Sequence, residues 1–346
     1  MISVTMHGDT DIGRVRRINE DSFRLIPPCA ALVVCDGMGG HAAGEIASQH
    51  AVETVEACLL RGRQVAPPPA DLTRSELGAL PPEAIDLIWA VRLANRRVYQ
   101  TAQTQRQMRG MGTTLVAVRF APGTAIICHV GDSRAYRFRD GRLEAMTVDH
   151  SLVAELVAQN EITPEQARTF ADRNIITRAL GTRPVVAVDV SVLDVRTGDW
   201  YLLCSDGLSG AITDEEIATI LARRVQDPRR AVGDLIAAAN AAGGPDNITV
   251  AIAAIRAAEG DGCGSPLSET VPEPSEDDAE QEIASLGALF REPAHSATPP
   301  EVQTDKIPID PSLFQSTPAP TPVETPADSP DAKRRRGLWP RKSGGR

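Results

Sequence analysis

No apolar run in this 346-residue chain approaches the length that would cross a bilayer, and Met1 to Asp9 holds no basic stretch followed by an apolar one. The expectation is a cytoplasmic protein without a transmembrane segment. The six cysteines, Cys29, Cys35, Cys58, Cys128, Cys204 and Cys263, show no CxxC spacing, and four of them lie in apolar patterns. They read as reduced core thiols. There is no G-x-S-x-G, and Ser133 follows an aspartate in a strand-rich context, so a serine hydrolase is set aside. A net charge of −10 argues against a nucleic-acid partner.

What is present divides in two. Roughly half of the 26 prolines fall after about Ala257, among Ser, Thr, Glu and Asp with few aromatics, a composition too polar to offset its ordering entropy. Residues 1–257 are expected to form one globular domain and residues 258–346 a disordered tail.

Within the domain, hydrophobic spacing predicts helices over 45–60 and 83–103, separated by a long connection marked by Pro67 and Pro81. A strand-rich block follows from Thr113, with Asp140-Gly141 between two runs as a hairpin signal. Residues 151–180 turn polar and helical, with a helix start at Thr163-Pro164. Thr213 and Glu216 form a capping box, a second late helix follows from Pro228, and Ile248 to Ile255 closes the domain as a strand. Strands and helices do not alternate as βαβα, which disfavours a doubly wound parallel sheet. The expected class is α+β, with two packed antiparallel sheets and helices outside.

Four times an aspartate sits beside a glycine or asparagine at a strand boundary: Asp36-Gly37, Gly131-Asp132, Asp206-Gly207 and Asp246-Asn247. Turn preference alone explains Asp140-Gly141, which joins two strands directly, but explains these four poorly. Clustered carboxylates repel unless cations lie between them. Without His or Cys at zinc spacing, an oxygen-rich set points to Mg²⁺ or Mn²⁺. Two such ions about 3.5 to 4 Å apart can share a water and aim it at phosphorus. The substrate phosphate would need an arginine fork, and Arg16, just before Asn19-Glu20-Asp21, is the candidate. Arg17 would face the other way in an extended stretch.

Eight ordered motifs carry a resemblance across residues 3–255. They are Asp11 to Ser22, Val33 to Glu45, Met111-Gly-Thr-Thr-Leu, His129 to Arg137, Thr147-Val-Asp-His-Ser-Leu, Ile176-Thr-Arg-Ala-Leu-Gly, Cys204-Ser-Asp-Gly-Leu and Gly244-Pro-Asp-Asn-Ile-Thr. The chain resembles the bacterial metal-dependent protein serine/threonine phosphatases of the type 2C, or PPM, family. That resemblance implies a four-layer α-β-β-α sandwich with a two-metal centre. It implies hydrolysis of phosphoserine and phosphothreonine in proteins by a water bridging two Mn²⁺ or Mg²⁺ ions. By position, Asp36 would bridge both ions and Gly37 would add its carbonyl. Asp206 and Asp246 would complete the second ion, with Asp21 and Glu20 nearby through water. Asp132 would help hold a weaker third metal, Arg16 would bind phosphate, and 151–180 would be a flap.

The implied partners are phosphorylated protein substrates and an opposing serine/threonine kinase in a signalling or secretion-control pathway, with the protein itself a monomer. In one respect the chain departs from the family: Met38 stands where eukaryotic members place a histidine, so His41 reads as loop structure rather than general acid. His129 and His150 read as structural.

Two rivals compete with this reading. Gly37-Met-Gly39-Gly-His-Ala42 matches G-x-G-x-x-A, the dinucleotide fingerprint, which leaves the other three aspartates unexplained. A non-catalytic phosphoprotein-binding module would keep the fold, yet every expected metal aspartate is present. In the tail, Lys333 to Lys342 is a basic cluster suited to a membrane surface or a partner, or simply to solvent. Ile283, Leu286, Leu289 and Phe290 form a short apolar stripe expected to dock on a partner.

Overall fold

In the computed structural model, residues 2–39, 43–62, 80–167, 170, 172, 174–257, 267–271, 282, 284–286 and 289–290 are described. Strands β1 (Ile2–Asp11), β2 (Asp21–Ile26) and β3 (Ala31–Met38) lead into two long helices, α1 (Ala43–Arg61) and α2 (Pro82–Thr104). Five strands come next: β4 (Gly112–Thr113), β5 (Leu115–Ala121), β6 (Thr124–Val130), β7 (Arg134–Arg139) and β8 (Arg142–Ala145). Short helices α3 (Leu152–Ala158) and α4 (Pro164–Ala167) precede β9 (Val188–Asp194) and β10 (Trp200–Cys204). Helices α5 (Asp206–Ser209), α6 (Asp214–Arg223) and α7 (Pro228–Ala241) lead to β11 (Ile248–Ala257) and β12 (Leu267–Val271).

Local chemistry sets the boundaries. The α6 capping box is closed in both directions, with Thr213 Oγ1 accepting from Glu216 N and Glu216 answering the Thr213 N–H. Asp227 caps α7 ahead of Pro228, whose missing N–H costs nothing at that position. The β7–β8 turn needs positive φ at both central residues, and Asp140 (51°) and Gly141 (78°) supply it.

Every strand pairing is antiparallel. One sheet runs β1-β11-β10-β7-β8; the other runs β12-β9-β6-β5-β3-β2, with β4 on β3. Alternation then assigns the layers. Leu32, Val34, Val116 and Val118 face Tyr201, Leu203, Ala251 and Ala253 between the sheets. Val33, Cys35, Ala117 and Cys128 turn outward onto α1 and α2. Leu202, Val250 and Ile252 turn outward onto α6 and α7. This is the expected α-β-β-α sandwich. The dinucleotide reading fails here, because it needs a parallel sheet around its glycine loop. Cys35, Cys58, Cys128 and Cys204 are buried free thiols, as expected.

The domain boundary needs correction. The chain divides into two units, Met1–Pro293 and Ala294–Arg346, rather than at residue 257. Strand β12 extends the second sheet on β9, and Glu282, Ser285, Leu286 and Leu289 are buried. Leu286 and Leu289 join the core that α1 and α2 share. The Glu282 carboxylate pairs with Arg96 at 2.8 Å, Arg61 donates to the Leu289 carbonyl, and the Arg97 guanidinium lies 4.2 Å over the Phe290 ring. Composition implied a solvated tail here, but a few well-spaced apolar residues and one buried ion pair tie this stretch to α2. Of the stripe expected to meet a partner, Leu286, Leu289 and Phe290 meet their own domain, and Ile283 lies outside the described residues. The 63–79 connection, His41 and the basic cluster at 333–342 lie outside the described residues. Among the described residues, no helix is long and apolar enough to cross a membrane.

Candidate metal centre

Strand ends deliver the carboxylates. The β2–β3 register sets Asp21 opposite Asp36, and Glu20 precedes β2. Asp132 lies in the β6–β7 turn, Asp206 opens α5 directly after β10, and Asp246 stands two residues before β11. Both sheets therefore bring acids to one end of the sandwich. The Asp36 carboxyl is held well above the ordinary carboxylate range, first by burial and then by Asp21, Asp206, Asp132 and Asp246. That order of influence places all five acids around one point.

The neighbours are raised in the same way. Burial, opposed by two hydroxyl donors and reinforced by Asp206 and Asp246, pushes Asp21 up to about 7. Asp132 rises to about 7 through burial, then Asp206 and Asp149. Asp206 is raised by burial and Asp246, and Glu20 mainly by burial. Glu20 Oε1, Asp21 Oδ1, Asp132 Oδ1 and Asp206 Oδ1 are all buried without a hydrogen-bond partner. An unpaired buried carboxylate oxygen is costly, and four aimed into one region fit hard divalent cations in oxygen coordination. The residues present therefore fit Mn²⁺ or Mg²⁺.

The support around these acids was not read from the sequence. Asp36 is fixed through its backbone: its N–H donates to Thr114 Oγ1, and its carbonyl accepts from Thr114 N and Thr113 Oγ1, each at 2.9 Å. Thr114 Oγ1 in turn meets Ser133 Oγ at 2.7 Å, linking Asp36 to the Asp132 turn. Asp21 Oδ2 accepts from Ser205 Oγ and Thr249 Oγ1, both at 2.7 Å. Asn247 spends its whole side chain here. Its Oδ1 accepts from Glu20 N at 2.8 Å, and its Nδ2 donates to the Ile12 and Ile18 carbonyls at 3.0 Å each. All of these residues sit inside the quoted motifs, and Ser133, Ser205 and Asn247 directly adjoin an aspartate, which is the signal that could have found them.

Gly37 has no room for a side chain, since a Cβ there would lie 2.1 Å from the Gly44 carbonyl oxygen. Arg16 reaches the site and pairs with Asp246 Oδ2 at 2.6 Å, with about half of its side chain exposed. A cation on that oxygen would compete with the guanidinium and turn it toward solvent, where a phosphate would arrive.

A second group, His129, His150 and Asp189, brings its potential ligand atoms within 4.8 Å of one another. Its rings are stacked, with centroids 4.5 Å apart and 16° between planes. An ion lies in the plane of an imidazole that binds it, so near-parallel rings cannot both reach one ion. The hydrogen bonds are committed as well: His129 Nε2 to Val148 O at 2.9 Å, and Gly131 N to His150 Nδ1 at 3.0 Å, leaving Nε2–H of His150 toward Asp189. Burial and the neighbouring His150 hold His129 neutral, with its pKa lowered to about 4. This cluster seats the base of 151–180 on the Asp132 turn, the structural role expected of both histidines.

The protein phosphatase 2C family model matches residues 15–239. This chain belongs to that family. Among relatives of this protein phosphatase 2C member, the serine/threonine protein phosphatase PstP of Mycobacterium tuberculosis is 38% identical over 244 residues. That match covers 70% of this chain, and this chain spans only 43% of PstP's length. The serine/threonine phosphatase Stp of Listeria monocytogenes is 37% identical over 253 residues, 71% of this chain and 94% of its own. The crystal structure of the PstP catalytic domain in complex with two manganese ions superposes with a TM-score of 0.63 at 35% identity, over 74% of this chain and all of that one.

Proposed function

We propose that this protein hydrolyses phosphoserine and phosphothreonine in other proteins, reversing a serine/threonine kinase, as a cytoplasmic monomer. One observation carries the reading: four partnerless buried carboxylate oxygens, with Asp36 at their centre and Arg16 at their mouth. Asp36, the Gly37 carbonyl, Asp206 and Asp246 would hold two ions, with Asp21 and Glu20 behind them and Asp132 toward a third. Bound Mn²⁺ or Mg²⁺ would supply Lewis acidity to a water and offset phosphoryl charge.

The chain's own groups do the rest. Arg16 offers a planar fork for two phosphate oxygens. Thr113 and Thr114 hold the Asp36 backbone still, so its carboxylate is preorganised. Ser205 and Thr249 keep Asp21 oriented and favour its ionised form. Among the described residues the site offers no protein nucleophile. Burial raises the Cys35 thiol far above its usual value and the Cys204 thiol to about 12, while Ser133 and Ser205 are buried in hydrogen bonds. Water is the remaining attacker.

The test is turnover of a phosphothreonine peptide by the full chain with and without Mn²⁺, beside Asp206→Asn. Activity that needs Mn²⁺ and falls about a thousandfold in the variant supports the reading. A folded, Mn²⁺-loaded protein without activity sinks it and favours a phosphoprotein-binding module.

A further inference from the structure

Eight large apolar side chains are exposed among the described residues, and five of them lie on three short segments tied by hydrogen bonds to the turns that carry the carboxylates. Ile12, Val15 and Ile18 (38, 68 and 43% exposed) lie on the loop that carries Arg16. Val148 and Ile175 (73 and 47% exposed) lie at the two limbs of the 151–180 segment's base. A lone exposed apolar residue is ordinary, but five on three short segments around one centre are not.

Backbone bonds hold these residues outward. The first loop is clasped at both ends by Asn247 Nδ2 and in the middle by Arg14 N donating to Gly244 O at 2.8 Å. Val148 is held through its carbonyl by His129, and Ile175 accepts from Leu152 N at 2.9 Å. The first ledge is tied to the Asp246 turn through Asn247 and Arg16. The second is tied to the Asp132 turn, because His150 N donates to Gly131 O and Thr177 N to His150 O. The Asp246 and Asp132 turns stand with Asp36 at one end of the sandwich, so the two ledges lie at that end as well.

We propose that these two ledges read the substrate: they favour phosphorylated segments that carry large apolar side chains on both sides of the phosphoresidue. The proposal rests on the phosphatase reading above and names its substrate class. Continuity with Arg16 identifies the occupant, since a phosphate held there leaves its chain running over Val15 and Ile18 on one side and toward Val148 on the other. Charge agrees, because Arg14, Arg16 and Arg17 make this loop locally positive in a chain of net charge −10. A phosphorylated segment is the anionic, partly apolar ligand that suits such a rim.

The experiment uses the full chain with Mn²⁺ and three substrates. These are p-nitrophenyl phosphate, a phosphothreonine peptide with leucine on both sides of the phosphoresidue, and the same peptide with serine there. The leucine peptide should be favoured about tenfold in kcat/KM, a typical return for burying a few methylenes. Val148→Ser with Ile175→Ser should bring that ratio toward one, as should Val15→Ser, while Val225→Ser, an exposed apolar residue elsewhere, should keep it. Equal use of both peptides by the unmodified protein overturns the proposal, and so does a ratio that survives in the ledge variants. If p-nitrophenyl phosphate itself is untouched by the Mn²⁺-loaded protein, the phosphatase reading fails first and the ledges lose their role with it.

Discussion

Thr249 shows how much of the site depends on residues that bind nothing themselves. Its hydroxyl receives support from Thr10, which accepts from Asn19 Nδ2, and passes a hydrogen bond to Asp21. Thr249→Val removes a donor that favours the ionised form, so the Asp21 pKa should climb further. Calorimetric Mn²⁺ titration should then show affinity about tenfold weaker, within the range for losing a group that orients a ligand. Asn247→Ala should act differently. It frees both ends of the Arg16 loop and should raise KM for phosphopeptides more than it lowers kcat. These residues also show where sequence reading stops. Asp36, Asp206 and Asp246 stood out because an acid beside glycine or asparagine at a strand boundary recurs there, in contexts that turn preference explains poorly. A buried serine or threonine looks like any other until the fold shows which acid it faces.

At the scale of elements, the four longer helices were legible from apolar residues at helical spacing, and the central strands from short continuous apolar runs buried on both faces. The strand Trp200–Cys204 and the helix after Thr213 needed nothing beyond their own side chains. Tertiary context decided the rest. The β4 pairing is only two residues long and exists because Gly37 and Met38 continue β3 past the sheet. Helix α1 begins against that same stretch: a Cβ at Gly44 would lie 2.5 Å from Glu20 Oε1 and 2.9 Å from the Gly37 carbonyl carbon. Gly44→Ala should therefore push apart Glu20 and Gly37, even though alanine favours helix by up to about 1 kcal/mol. A lower melting temperature together with weaker Mn²⁺ binding is expected, measured by thermal unfolding across a Mn²⁺ series.

For the whole molecule, the acid cluster makes stability depend on pH with an unusual sign. Burial and acidic neighbours push Asp21 and Asp132 up to about 7 from an ordinary value of 3.8. Between those values these two groups bind more protons in the folded state than in the unfolded one, so their contribution to stability is full below about pH 4 and is lost as pH rises through 7. Denaturant unfolding of metal-free protein should show that fall, and saturating Mn²⁺ should reverse it, since the ions replace the protons. Most paired acids behave in the opposite way. The extent of the folded unit was the least legible property, because composition described residues 258–346 as one polar tail and could not see a single glutamate buried on a helix.

That glutamate constrains how the chain can change by mutation. Glu282 and Arg96 lie 186 positions apart, with side chains only 1% and 7% exposed. Losing Glu282 alone leaves the Arg96 guanidinium buried without this carboxylate, at a cost of about 3 to 5 kcal/mol, and replacing both with leucine recovers part of it. Glu282→Leu should thus melt well below the double variant with Arg96→Leu, a crossing that thermal unfolding of all four proteins would display. In drift, then, the two sites are bound together: a lineage that discards the acid gains by discarding the base with it.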